Sequence, residues 1–223
     1  MAPRSGEREH AQHGAGPAVL DRFIPRPDAG GRHEITIAAP PRLVLEVVRN
    51  FDMQSPPLVR AIIRLRARLL RAHPSPARRP TGLLAETLAM GWGRLAEEPD
   101  RYFIAGAVCQ PWRGDVVFTP VPPEQFAAFF PPDQVKIAWT LEAEPLGFGR
   151  TRFATETRAV ATDDGARAKF RRYWRTFGIG IAAIRWLLLP AVRREAERRW
   201  REDCAGAGRS DSGRGGLAPT PLR

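Results

Sequence analysis

The feature that most constrains the fold of this chain is a long apolar stripe near its C-terminal end. Over residues 166–200, large apolar side chains recur every three or four positions, which places them on one face of an α-helix. The stripe is formed by Phe170, Tyr173, Trp174, Phe177, Ile181, Ile184, Leu188 and Val192. A helix with one apolar face buries that face against another layer, so the sequence predicts a sheet beneath a long C-terminal helix.

The middle of this helix, residues 177–192, is the most apolar segment of the chain, but its sequence argues against a membrane span. It is shorter than the roughly 20 residues that a span needs, and it contains Arg185 and Pro190. A charged side chain near the middle of a bilayer costs several kcal/mol. We therefore expect the helix to close the core of a soluble, cytoplasmic protein. We also expect a kink or break at Pro190, because proline lacks the N–H that would bond to the carbonyl of Trp186.

Composition excludes several classes of function. The 223 residues carry a formal charge of +11, but Lys136 and Lys169 are the only lysines. Such arginine use is typical of GC-rich coding, so we expect no specific nucleic-acid partner. Cys109 and Cys204 cannot form a disulfide framework, and the four histidines lack metal-ligand spacing, so we expect no metal and no cofactor. The first residues have no apolar signal segment.

Upstream of the long helix, the local patterns alternate between helix and strand. Residues 33–38 read as a strand, and a proline turn and a helix to Phe51 follow. Residues 56–81 form a helical insertion with a proline-rich linker, and residues 92–112 read as two strands. The clearest hairpin spans residues 135–158, where apolar or neutral side chains alternate with charged ones. This alternation predicts that Glu142, Glu144 and Glu156 face solvent, which argues against acid–base catalysis by these three.

This order of elements resembles the START-like, SRPBCC helix-grip superfamily, especially its polyketide cyclase/dehydrase and lipid-transport branch. The matching segments are the Trp-rich strands at 92–112, "HEITIAAPPRLVLEVVRNFD", "KIAWTLEAEPLGFGRTRFATETRA" and "ARAKFRRYWRTFGIGIAAIRWLLLPAVRREAE". The resemblance implies an α+β helix-grip fold, with a curved antiparallel β-sheet wrapped around the long C-terminal α-helix and an apolar cavity between them. We expect this domain over residues 31–201, a disordered or extended segment over 1–30, and a disordered tail over 202–223.

We expect side chains of both layers to line the cavity. They are Tyr102, Trp139, Phe153, Thr155, Trp174, Phe177 and Ile181. Thr155 and Tyr102 would supply hydrogen bonds to a ligand. Arg185, at the edge of the stripe, either extends to solvent or turns inward to bind a ligand carboxylate through both of its terminal nitrogens. Core packing alone is the alternative interpretation of the apolar members.

These features predict non-covalent binding of a small apolar or amphipathic molecule. One alternative is a cyclase- or dehydrase-like enzyme that uses the same cavity, although the chain shows no paired catalytic polar groups and we assign no catalytic residue. The other alternative is docking, through the C-terminal helix, onto a protein partner or a weakly bound anionic membrane surface. Docking would use an apolar patch on the back of the helix and a basic segment near its end. The patch is Ile179, Ala182, Ala183 and Trp186, and the basic segment is Arg193, Arg194, Arg198, Arg199 and Arg201.

Overall fold

A computed structural model of the chain describes residues 19–52, 56–73 and 80–211, apart from the side chains of Ile181, Ala182, Arg185 and residues 207–211. Parts of the predicted terminal segments and of the predicted linker therefore lie outside the described residues.

The described residues form the predicted α+β fold, in which a curved antiparallel sheet packs on one long C-terminal helix. The strands are β1 (Ala29–Ile37), β2 (Gly93–Glu98), β3 (Tyr102–Cys109), β4 (Val135–Gly147) and β5 (Arg150–Ala161). The helices are α1 (Pro41–Arg49), α2 (Pro57–Leu69), α3 (Leu83–Ala89), α4 (Pro123–Phe126) and α5 (Asp164–Asp211). The sheet order is β1-β5-β4-β3-β2, and all neighbouring strands are antiparallel. This is a helix-grip arrangement.

Local sequence explains the turn of the β4–β5 hairpin and the start of helix α1. The β4–β5 hairpin is confirmed, and it turns through Gly147, Phe148 and Gly149, whose φ angles are +82°, 51° and 66°. Glycine adopts such left-handed angles without steric cost, which is why two of the three positions are glycine. Helix α1 begins at Pro41, where the missing N–H of proline has no helical partner to lose.

Both faces of the sheet are covered by other elements. We call the face toward α5 the inner face and the opposite one the outer face. A short 3-10 turn (Val19–Arg22) and α4 cover the outer face, where Leu20 and Phe126 pack with Leu95 and Ile104. The expectation that the charged side of the hairpin faces solvent is therefore wrong for Glu156, which is 8 % exposed.

The domain begins earlier and ends later than the sequence predicted. Leu20, Phe23 and Ile24 are buried in the outer-face core, so residues 19–30 belong to the domain rather than to an extended leader. Helix α5 continues to Asp211, ten residues beyond the predicted boundary at 201. Composition alone missed this extension, because the Gly- and Ser-containing sequence after Cys204 has weak helix propensity.

Helix α5 contains Pro190 without interruption over its 48 residues, so the predicted break is wrong. Pro190 lies on the exposed side of the helix. Losing one backbone hydrogen bond costs less there, because water can reach the carbonyl that the proline leaves unpaired.

Candidate functional site

Helix α5 is held against the inner face of the sheet at two separate places. Near its start, Phe170 and Tyr173 are buried with Val135 and Ala159 of the hairpin. Near its end, apolar side chains of α5 are buried with α1 and with the other end of the sheet. These side chains are Leu189, Val192 and Ala196, and their partners include Ile37, Val44 and Phe153.

Between these two contacts the helix is loosely packed. Among the described side chains from 174 to 188, none is fully buried, and Trp174 and Phe177 are half-buried. The sheet beneath this part of α5 carries mostly small or polar residues. One row across the strands pairs Gly31 with Thr157, Thr157 with Trp139, and Trp139 with Ala105. We call the region between this row and residues 174–188, where side chains of both layers stay partly exposed, the central gap.

His33 lies at the edge-strand side of the central gap. It pairs with Thr155 across β1 and β5, and its ring centroid is 6.4 Å from that of Trp186. Its Nδ1 is shielded from solvent and has no hydrogen-bond partner among the described residues. A shielded polar atom without a partner costs about 1–3 kcal/mol, and a polar group of a ligand could relieve that cost.

Four of the predicted site residues lie on the two layers that flank the central gap, and their role in binding stays a prediction. Trp139 and Thr155 are half-buried on the sheet, and Trp174 and Phe177 are half-buried on the helix. The side chains of Ile181 and Arg185 lie outside the described part of the structure, so their predicted roles stay predictions. Phe153 is 2 % exposed within the core that holds the end of α5, so it packs rather than lining the gap.

Tyr102 was assigned to the wrong face of the sheet. It pairs with Glu142 and packs against the outer-face core, whereas its neighbour Phe103 points inward, where its ring lies 5.9 Å from that of Trp139. The physical reason lies in strand β3, whose residues are nearly all apolar because both faces of the strand are buried. Without polar alternation, the sequence does not indicate which side chains point inward.

His33 and Thr157 were the gap-lining residues that the sequence reasoning missed. A usable signal was present, because His33 shares a strand face with Ile35 and Ile37, which point toward the core. Thr157 likewise follows Phe153 and Thr155 at every second position of β5.

The carboxylates of the hairpin are engaged by arginines on the outer face. Arg32 Nη1 donates to Glu142 Oε2 at 3.1 Å and to Glu156 Oε2 at 3.3 Å. Arg158 donates to Glu156 Oε1 at 2.6 Å and to Asp21, which ties the 3-10 turn to the sheet. These carboxylates lie away from the central gap and already have cationic partners, so they are not free acid–base groups of the gap.

Two buried groups elsewhere in the sheet have perturbed pKa values. Burial raises the pKa of the Cys109 thiol to about 12 and lowers the pKa of Lys136 to about 8. Lys136 Nζ donates to the carbonyl oxygens of Phe126 and Ala127, each at 2.8 Å, and lies 3.8 Å from the ring centroid of Phe130. The lysine therefore fastens α4 to the outer face.

Two open surface clefts lie along α1, away from the central gap. One, of about 450 Å³, separates α1 from the end of α5 near Asn50 and Arg194. The other, of about 530 Å³, separates α1 from α3 near Arg42 and Leu88. Neither is lined by a residue that the sequence assigned to the cavity. Within the described ranges, no three His, Cys, Asp or Glu side chains are grouped as a metal site.

Comparisons with known proteins add a likeness of fold. No family model and no curated protein matches the chain. Among solved structures, it is similar to Zhui aromatase/cyclase from Streptomyces sp. R1128, at 17% identity over 77% of this chain and 94% of that chain, with a TM-score of 0.27. It is also similar to DR_A0006 from Deinococcus radiodurans, at 12% identity over 68% of this chain and 99% of that chain, with a TM-score of 0.26. Matches this distant carry nothing about chemistry. Separately, none of the helices in the described residues has the length and apolarity of a bilayer span.

Proposed function

We propose that the chain binds a small apolar or amphipathic molecule, without covalent chemistry, in the central gap between the sheet and the middle of α5. The observation that carries this proposal is the contrast along one helix. Both ends of α5 bury their apolar side chains, whereas the described side chains between Tyr173 and Leu189 do not. Half-exposed aromatic rings facing a row of small and polar residues suit an apolar ligand with a few polar groups.

The polar groups around the gap favour an amphipathic molecule over a hydrocarbon. His33 Nδ1 lacks a partner, and Thr155 and Thr157 lie on the same sheet face. Their hydroxyls can donate or accept, and a neutral histidine nitrogen does one or the other according to its tautomer. A ligand could place a hydroxyl or carboxyl group at the β1 side of the gap and its apolar part against Trp139 and Phe177. Such a ligand would satisfy the polar groups and cover the aromatic rings.

Filling the gap tests this proposal. Thr157→Phe places a ring in the row beneath α5, whereas Thr176→Phe makes the same chemical change at an exposed position of the helix. We expect Thr157→Phe to weaken binding of the amphipathic dye 8-anilinonaphthalene-1-sulfonate at least about ten-fold, and Thr176→Phe to leave it unchanged. Native mass spectrometry of the wild-type protein should also reveal a co-purifying small molecule. A folded Thr157→Phe protein that binds the dye as tightly as wild type would refute the site.

A cyclase- or dehydrase-like enzyme is a second candidate, and His33 is the observation that favours it. A histidine facing the gap could transfer a proton to or from a bound ligand. The co-purifying molecule, once released and incubated with fresh protein, would decide between the two. Its conversion by wild type but not by His33→Gln would favour the enzyme, and an unchanged mass and retention time would favour binding alone.

A further inference from the structure

Helix α2, in the insertion before β2, carries an apolar stripe that the described part of the chain does not cover. Leu58, Leu65 and Leu69 are 55%, 58% and 59% exposed. Their spacing of seven and four residues places them within about 40° of one another around the helix axis, at 100° per residue. Three leucines aligned and more than half exposed form a continuous apolar surface rather than scattered contacts.

The stripe points outward because a different side of α2 is anchored to the body of the protein. Val59 is fully buried. Arg66 Nε donates to the hydroxyl of Tyr173 at 3.2 Å, and Arg66 Nη2 donates to the carbonyl of Pro111 at 3.1 Å. A side chain at Gly180 of α5 would meet Ile62 at 3.3 Å, which shows how closely the two helices approach there.

The remaining side of α2 is strongly basic. Arg64, Arg68 and Arg71 are exposed, and none of them forms an ion pair within the described residues. Arg64 and Arg68 lie about 80° to 120° around the axis from the leucine stripe, and Arg71 follows the end of the helix. The sequence contains no Asp or Glu from Pro56 to Pro80. The positive charge of this segment is therefore uncompensated locally.

The basic segment near the end of α5, which the sequence offered as an alternative docking surface, is different. Arg193 pairs with Glu197 at 2.9 Å. Arg198 pairs with Glu195 at 2.8 Å and with Glu202 at 2.7 Å. Much of its charge is thus compensated within the helix. The back patch above it remains exposed, with Ile179 at 81% and Trp186 at 70%, because α2 packs on another side of α5.

We propose that α2 docks the protein onto a bilayer surface that contains anionic lipid. The leucine stripe would enter the boundary between headgroups and acyl chains, while the flanking arginines contact lipid phosphates. This combination of an exposed apolar stripe and an adjoining face of uncompensated arginines is what an in-plane amphipathic helix requires. Arginines near an anionic membrane surface each add to the affinity, and salt screens their contribution.

Vesicle co-sedimentation at low salt tests the proposal, with vesicles of phosphatidylcholine alone or mixed with phosphatidylglycerol. One variant changes Leu65 and Leu69 to Ser, and its control changes the exposed Val117 and Leu146 to Ser. We expect wild type to bind the mixed vesicles only. The leucine variant should lose binding at least about ten-fold, and its control should retain it.

A second pair of variants tests the role of the α2 arginines, and each variant removes three positive charges. Arg64, Arg68 and Arg71 changed to Gln should bind at least about ten-fold more weakly than Arg193, Arg194 and Arg198 changed to Gln. Equal losses in the two arginine variants, or no binding of wild type to either vesicle, would overturn the proposal. A wild-type dimer in sedimentation velocity that becomes a monomer in the leucine variant would also overturn it, since a second copy would then cover the stripe. Because every substituted side chain is exposed, unchanged circular dichroism and thermal unfolding are expected throughout.

Discussion

Replacing Phe170 and Phe177 of α5 by alanine, one at a time, and comparing the losses in stability would show whether the middle of the helix is loosely packed. Phe170 is 2 % exposed and contacts Tyr173 and Trp174, with ring centroids 6.5 and 5.6 Å apart. Because Phe170 is almost fully buried, its replacement by alanine should lower the free energy of unfolding by about 3–5 kcal/mol. Phe177 lies two turns further along and is half-buried, with its ring 5.0 Å from that of Tyr173.

The expected cost at Phe177 is smaller and can be assembled from its contacts. Losing one aromatic pair costs about 0.5–1.5 kcal/mol, and losing a partly buried ring adds about half of the roughly 2 kcal/mol of full burial. Phe177→Ala should therefore lower the free energy of unfolding by about 1.5–2.5 kcal/mol, some 2 kcal/mol less than Phe170→Ala. Urea denaturation followed by tryptophan fluorescence measures both values. Costs within about 0.5 kcal/mol of each other would mean that the middle of α5 belongs to a solid core, and the central gap would have to be abandoned.

Three further predictions concern buried or bridging groups. Cys109 is buried and Cys204 is exposed. A thiol reagent at pH 8 should therefore modify only Cys204 in the native protein and both cysteines in denaturant. Two reactive thiols in the native state would contradict the raised pKa of Cys109. Because the pKa of Lys136 is lowered to about 8 in the folded state, the unfolded chain binds more protons between pH 8 and about 10.5. Wild type should therefore gain stability relative to Lys136→Met as the pH rises over this range, by at most about 1.4 kcal/mol per pH unit. A difference in unfolding free energy that stays flat or falls with pH, measured by urea titration, would contradict this prediction. Arg66→Ala removes the hydrogen bond to Tyr173 that helps anchor α2. Amide hydrogen exchange in α2 should therefore accelerate while exchange in β4 stays unchanged. Acceleration in both elements would show instead that the anchor stabilises the whole domain.

The sequence predicted those elements whose pattern has a single interpretation. The hairpin alternates over many residues and contains a glycine turn, and α5 repeats its apolar positions over several turns, so both were recognised together with the helix-grip arrangement. The outer layer was missed because Leu20, Phe23 and Ile24 form a cluster too short to show any period. Once this layer is present, Lys136 is 1% exposed rather than solvated, and the carbonyls of Phe126 and Ala127 together with the ring of Phe130 make that burial tolerable.

The candidate site was predictable only in part, since a site depends on register and on vacant space. Trp139 and Phe177 were selected from periodicity and are partly buried, but periodicity does not distinguish a side chain that lines a gap from one that fills a core. Phe153 was expected beside the ligand for this reason, and the structure packs it under the end of α5. Tyr102 depended on the phase of a wholly apolar strand, which only pairing with β4 determines.

The two-point attachment of α5 separates the residues that maintain the fold from those that would select a ligand. Phe170 and Val192 hold the helix, whereas Thr155 and Thr157 lie on the sheet between these contacts and Phe177 packs only in part against the first of them. Substitutions in the second group can accumulate at small cost in folding free energy, because the helix stays fixed at both ends. Divergent chains with this architecture could therefore exchange one ligand for another through a few point changes, and a directed-evolution library confined to these three positions should contain mostly folded members.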